Sequence, residues 1–176
     1  MSAWDQITIV EADITSLDVD AIVNAANTSL LGGGGVDGAI HRKAGKELLA
    51  ECRMLDGCAV GNAKITKGYK LPAKWIIHTV GPRWNGGDKG ERGKLASCYR
   101  RCMEIAKSRE LTSVAFPGIS TGIYHYPQRE AADTALATVH EYLVENPSAI
   151  RVIMCTYDSL ATMIMTEAMK DLRATS

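Results

Sequence analysis

The chain alternates short apolar, β-branched runs with stretches whose apolar residues recur every three or four positions. Residues 7–10, 21–24, 63–66, 75–80, 113–116 and 151–155 read as strands. A helical pattern begins near Gly38 and carries Ile40, Ala44 and Leu48. A second carries Leu95, Cys98, Tyr99, Cys102 and Ile105. A third starts near Pro127, whose fixed φ suits a first turn, and carries Ala132, Ala135, Val139 and Tyr142. The last carries Leu160, Met163, Ile164 and Ala168. The order is mostly β then α, repeated, which predicts an α/β domain with a largely parallel sheet and helices on both faces. Only a short link joins the first two strands, so antiparallel pairing is expected there. Residues 85–94, "NGGDKGERGK", read as a mobile surface loop. They are not a domain boundary, because the chain on either side is too short to stand alone, and one domain over residues 1–176 is expected.

In such sheets, ligands bind beyond the carboxyl ends of the strands. Asp13 follows the first strand there, and Asn24 and Asn27 close the second. Four consecutive glycines, Gly32 to Gly35, come next, followed by Asp37 and a helical pattern. "PGISTGIY" follows the fifth strand, and Tyr157 and Asp158 follow the last. Four segments far apart in sequence are therefore expected to converge on one cleft. Four glycines in a row cost backbone entropy and bury no side chain, so a chain that orders them has something to hold against its backbone.

Composition narrows the field. The 176 residues are 46% hydrophobic and 23% charged, which suits one globular domain. Lys+Arg and Asp+Glu number 20 each, so strong non-specific nucleic-acid binding is not expected. No basic start leads into an apolar run, and no stretch approaches the roughly 18 apolar residues of a membrane span. A cytoplasmic location without membrane association is the expectation. Five cysteines, an odd number with no C-x-x-C, suit reduced thiols. His41, His78, His125 and His140 form no metal-ligand spacing, and neither metal nor cofactor is expected.

Three motifs compete for the glycine-containing loops. Gly33, Gly35 and Gly38 fit G-x-G-x-x-G, but "AANTSLL" separates them from the strand they should follow directly. Gly118, Ser120 and Gly122 fit the G-x-S-x-G elbow of serine hydrolases. There the nucleophile turns straight into a helix, whereas "IYHYP" delays the helix here, and no acid–histidine pair follows on separate loops. The third reading makes both loops phosphate cradles, whose backbone N–H groups, backed by a helix N-terminus, would clamp a diphosphate.

"EADITSLDVDAIVNAANTSLLGGGGVDGAIHRKAG", "AKWIIHTVGP", "VAFPGISTGIYHYP" and "CTYDS" together resemble the macrodomain family. The nearest subgroup is the MacroD-like one, which includes bacterial O-acetyl-ADP-ribose deacetylases, and the resemblance spans nearly the whole chain. It implies a three-layer α/β/α sandwich around a mixed, mostly parallel six-stranded sheet. It implies a hydrolase of ADP-ribose esters: O-acetyl-ADP-ribose, and mono-ADP-ribose on protein glutamate or aspartate. Its partners would be ADP-ribose, its esters and mono-ADP-ribosylated proteins. By the family pattern Asp13 takes the adenine amino group, aided by the Ile14 backbone. Asn27 and Asp37 stand at the distal ribose as the catalytic pair. Gly34, Gly35 and Val36 approach that ribose and the adjacent phosphate. Ser120, Thr121, Gly122, Ile123 and Tyr124 wrap the diphosphate, and Tyr157 lies near the adenine. Asn24 is counted with the substrate-binding residues. The chain departs from the family at Ala12, where glycine is usual, and at Gly118, where alanine is usual; both are small.

Each residue keeps a plainer role beside the implied one. Asp13 suits a turn, since "DITS" is good turn chemistry. Asn24 and Asn27 suit structural amides, Asp37 suits a helix N-cap, and Tyr157 suits packing. At the level of function, the alternatives are a module that reads ADP-ribose without cleaving it, and a serine esterase with Ser120 as nucleophile. Which ester is physiological, and whether it is a free metabolite or a modified protein, lies beyond these patterns.

Overall fold

A computed structural model describes residues 2–176. Six strands, β1 (Ile7–Glu11), β2 (Ala21–Ala26), β3 (Ala63–Lys67), β4 (Trp75–Val80), β5 (Ser113–Phe116) and β6 (Arg151–Thr156), form one sheet in the order β1-β6-β5-β2-β4-β3. All neighbouring pairs are parallel except β3 with β4. The antiparallel pair is thus not β1 with β2, as their short link suggested. Those strands lie three places apart, because β6 and β5 fill the space between them. The five parallel strands bring their carboxyl ends to one edge of the sheet.

Five helices cover the two faces: α1 (Gly35–Ala44), α2 (Lys46–Leu55), α3 (Glu91–Ser108), α4 (Gln128–Glu145) and α5 (Ser159–Ala174). Alternation along the strands sorts their side chains. Ile22, Ala26, Ile76 and Val80 meet Ile40, Ala44, Leu48 and Cys52 of α1 and α2. Ala21, Val23, Val114 and Phe116 meet Leu95, Cys98, Leu136 and Val139 of α3 and α4. The architecture is the expected α/β/α sandwich. The single helix expected from Gly38 through Leu48 is in fact two, broken at Gly45, whose φ of 93° ends α1. On α5 the buried side is shorter than its pattern suggested. Ala168 is buried, while Leu160 and Met163 are half exposed, because the helix packs on β1 and α4 along its other stripe.

Two close approaches shape the edge that carries the loops. A Cβ on Gly38 would lie 2.5 Å from the Gly33 carbonyl oxygen, so α1 can seat the glycine loop only with hydrogen at that position. A Cβ on Gly81, just after β4, would collide with Ser120 Oγ and come within 2.7 Å of Ile119 Cγ2. The 85–94 segment is exposed as expected, yet it is tied down at its base. Glu91, buried at the start of α3, accepts hydrogen bonds from the backbone N–H groups of Asn85 (2.8 Å), Gly87 (3.0 Å) and Lys89 (2.6 Å). Residues from Glu91 onward belong to the helix rather than the loop.

Gly38→Ala should push the glycine loop off α1 and cost about 1–3 kcal/mol in urea unfolding, the usual range for overpacking. Unchanged stability would mean that the loop moves aside freely. Burial works to raise the pKa of Glu91, but the amide donors prevail and bring it down from 4.5 to about 2. A carboxylate so depressed contributes stability above its unfolded pKa and loses it as pH falls through the folded one. The stability gap between wild type and Glu91→Gln should therefore be open at neutral pH and close between pH 4.5 and about 2. A gap independent of pH would show that charge is not what anchors the segment.

Candidate functional site

The glycine run ends in the first turn of α1. Gly34 is the N-cap residue, without a side-chain bond, and Gly35 follows with φ of 57°, a left-handed value natural to glycine. Asp37 is therefore not the cap, contrary to one expected role. It sits within the first turn, 4% exposed. Its Oδ1 accepts a hydrogen bond from Asn24 Nδ2 at 2.9 Å, with His41 Nε2 at 3.5 Å. Among the described residues nothing donates to Oδ2. That oxygen borders the place where a side chain on Gly33 would begin, 3.1 Å from Oδ2 and 3.4 Å from Asn27 Nδ2. The absence of a side chain at Gly33 leaves a space faced by one carboxylate oxygen and one amide, with the exposed backbone of Gly34 and Gly35 and half-buried Val36 beside it.

The two asparagines differ. Asn27 is half-buried and organises the loop: its Oδ1 accepts from Ser29 N (3.1 Å) and Ser29 Oγ (2.6 Å), and its Nδ2 donates to Gly32 O (3.0 Å). It holds the glycine run in place while bordering the space in front of Asp37. Asn24 is fully buried, so it cannot touch a ligand in this arrangement. Its counting among the substrate-binding residues is corrected to a role through other groups: Nδ2 also lies 3.1 Å from His78 Nδ1.

At the far end of the cleft, Asp13 is both turn residue and open carboxylate. Its Oδ1 accepts from Thr15 Oγ1 (2.7 Å) and Thr15 N (3.0 Å), capping a short 3-10 turn that begins at buried Ile14. Oδ2 lies 3.3 Å from Lys43 Nζ of α1. The Thr15 hydroxyl, then its amide, then the Lys43 ammonium hold the Asp13 carboxyl below its ordinary pKa. Ala12 N donates to Thr156 O at 2.9 Å, which brings the β6 end alongside. Tyr157 is 79% exposed there and is not a packing residue. Asp158 caps α5 through Ala161 N at 2.8 Å.

The second loop crosses between these ends. Ser120 is buried in a left-handed conformation, φ 67°, and its Oγ has no hydrogen-bond partner among the described residues. No histidine stands against it as a base, and α4 starts only at Gln128, so a serine-esterase pair is not assembled. Thr121 and Tyr124 are half-buried, and Gly122 and Ile123 are exposed. The turn is closed by Tyr126 N to Ser120 O at 2.9 Å, and tethered by Trp84 N to Tyr124 O at 2.8 Å. Arg83 lies over the Tyr124 ring at 5.1 Å, adding a cation beside the loop. A cavity of about 400 Å³ lies on the outer side of the glycine loop, lined by Gly33, His41, Arg42 and Lys46 among others. Asp13, Asp37 and residues 120–124 do not line it, so it is not the cleft these groups face.

Several groups at this edge carry no sequence signal: Lys43, Gly81, Arg83, and His78 with its partner Thr66. His78 is the clearest case. It pairs with Asn24 across β2 and β4, a register that the order of elements along the chain does not reveal.

Comparison with known proteins agrees with this geometry. A model of the Macro domain family matches residues 23–135. A macro domain-containing protein of Mesorhizobium japonicum is 60% identical over 171 residues, 97% of each chain. The human protein named ADP-ribose glycohydrolase MACROD2 is 54% identical over 158 residues, 89% of this chain and 37% of that protein. Among solved structures, the Oceanobacillus iheyensis macrodomain with ADP superposes with a TM-score of 0.92 at 44% identity, covering 96% of this chain and 92% of that one. The Trypanosoma brucei macrodomain in complex with ADP-ribose gives a TM-score of 0.87 at 40% identity, covering 92% and 68%. Fold, site geometry and sequence thus converge, and the chain belongs to the macro domain family.

Proposed function

We propose that this protein is a hydrolase of ADP-ribose esters, acting on O-acetyl-ADP-ribose and on mono-ADP-ribose joined to protein glutamate or aspartate. The observation that carries the reading is Asp37: a buried carboxylate whose Oδ1 is held by Asn24 and whose Oδ2 faces the space beside Gly33. Relatives named as ADP-ribose glycohydrolases and structural neighbours holding ADP or ADP-ribose support the ligand class.

In this reading the ligand lies along the carboxyl edge of the sheet. Asp13 and the Ile14 backbone meet the adenine, with Tyr157 free to stack on it. The N–H groups of Ser120 to Tyr124 and of the Gly34–Val36 turn at the α1 N-terminus meet the diphosphate, where aligned backbone dipoles favour an anion. The distal ribose rests against Gly33 to Val36, within reach of Asn27 and Asp37. A water held between Asp37 Oδ2 and the phosphate attacks the ester carbonyl carbon and gives a proton to Asp37 Oδ2 as it does so. The acyl carbon–oxygen bond then breaks, the ribose oxygen takes a proton, and a carboxylic acid and ADP-ribose leave. Neither a covalent enzyme intermediate nor a Ser120 nucleophile enters this sequence.

Reading without cleavage is the competing function, and Asp37 separates the two. Asp37→Asn is nearly isosteric and keeps an oxygen for Asn24, but it is no base. It should bind ADP-ribose nearly as wild type does in calorimetry, while ester turnover falls by roughly 10²–10⁴, the usual contribution of general acid–base help. Full activity in Asp37→Asn would remove the carboxylate from the chemistry. Tight binding by the wild type with turnover of neither ester would favour the reader.

A further inference from the structure

The face of the sheet under α1 and α2 is largely apolar but carries one line of buried polar side chains; Lys64, the register partner of His78 on β3, is half-buried and donates to Leu55 O at 2.7 Å. Asn24 and His78 are register partners on β2 and β4. Thr66 on β3 is opposite Ile76, and so lies diagonally from His78 on the same face. Asn24 and His78 have no solvent exposure, and Thr66 has 1%. The contacts run from Thr66 Oγ1 to His78 Nε2 (2.9 Å), from His78 Nδ1 to Asn24 Nδ2 (3.1 Å), and from Asn24 Nδ2 to Asp37 Oδ1 (2.9 Å).

Hydrogen bonding admits one consistent assignment along this line. Asp37 Oδ1 is an acceptor, so the Asn24 amide must turn its NH2 toward it. The same NH2 faces His78 Nδ1, which must then accept, and His78 therefore carries its proton on Nε2. That proton goes to Thr66 Oγ1 at 2.9 Å, whose own hydrogen goes to Lys67 O at 3.1 Å, while Cys52 Sγ, 4.0 Å from the same nitrogen, is the more distant second neighbour. Burial, with the nearby His41 adding to it, lowers the His78 pKa to about 3, so the ring is neutral as this assignment requires. The orientation has a cost: Asn24 Oδ1 is buried without a partner. Rotating the amide would offer that oxygen to a proton on His78 Nδ1, but would set it against Asp37 Oδ1. The two histidine tautomers thus correspond to two amide orientations, and only one of them supports the carboxylate.

We infer that Thr66 and His78 are positioning residues for hydrolysis: Thr66, its own hydrogen given to Lys67 O, accepts from Nε2 and so supports the Nε2–H tautomer of His78, which orients Asn24, which holds Asp37 with Oδ2 toward the substrate. The inference rests on the hydrolase reading above. Neither residue touches the ligand. Their removal should therefore act on turnover and leave ADP-ribose affinity alone.

Thr66→Val keeps the shape and deletes the hydroxyl, and Thr66→Ser keeps the hydroxyl. His78→Asn retains an acceptor near the Nδ1 position, and His78→Leu removes it. With O-acetyl-ADP-ribose as substrate, Thr66→Val and His78→Leu should lower kcat by about 10-fold or more, within the ~10²-fold that misplacing a catalytic group by an ångström costs, with the ADP-ribose Kd changed by less than about twofold. Thr66→Ser and His78→Asn should recover most of the loss. Nitrogen NMR of wild-type His78 should report a neutral ring protonated at Nε2. Full kcat in Thr66→Val, losses that the conservative variants fail to recover, or a proton on Nδ1 would each overturn the relay. A wild type that binds but hydrolyses nothing overturns the hydrolase reading and this role with it. The nitrogen spectrum then shows separately whether the network itself is as described.

Discussion

A hydrogen bond between two buried side chains, Asn24 on β2 and Asp37 on α1, is the contact on which the cleft depends. A carboxylate taken out of water loses solvation that hydrogen bonds must offset. Asp37 has a single amide donor on one oxygen, a histidine ring near it, and an open neighbouring space at the other. The charge is thus supported from the core side and offered on the cleft side. A helix N-terminus lies behind it, where negative charge is favoured.

That arrangement needs backbone without side chains around it. Gly33 leaves open the space in front of Oδ2, and Gly38 lets α1 approach the Gly33 carbonyl. Asn27 then ties the loop through Ser29 and Gly32. The sheet supplies the long-range order. With β1 and β6 at one edge and β5, β2 and β4 following, Asp13 and Tyr157 fall at one end of the cleft and Asp37 toward the other, with the Ser120–Tyr124 loop between them. A ligand with a base at one end, a sugar at the other and a diphosphate in the middle matches that spacing of chemistries.

Much of this was legible in the chain. The strands were readable because each is a short β-branched run, and their carboxyl ends pointed to the segments that converge. What failed depended on tertiary partners. The link between β1 and β2 carries no sign that two later strands insert between them. The helix break at Gly45 is hidden because Ile40, Ala44 and Leu48 keep helical spacing across it and all pack into one cluster. Asn24, near the end of a short apolar run, suits either a ligand or a core role; its full burial and its register with His78 show that it faces the core. Glu91 lay inside a run of glycines and charges that reads as a loop, and no local pattern marks a carboxylate that gathers three amides.

A crystal structure of the protein with ADP-ribose bound is the most direct test of the claim that Asp37 Oδ2 and the glycine backbone form the reacting end of the site. The account predicts the distal ribose against Gly33 to Val36, Asp37 Oδ2 within hydrogen-bond reach of that ribose or of a water beside it, and Asn24 still buried and bonded to Oδ1. The adenine should lie at Asp13, with the diphosphate under residues 120–124. A distal ribose placed away from Gly33, or an Asp37 carboxylate turned from the cleft in the complex, would contradict it.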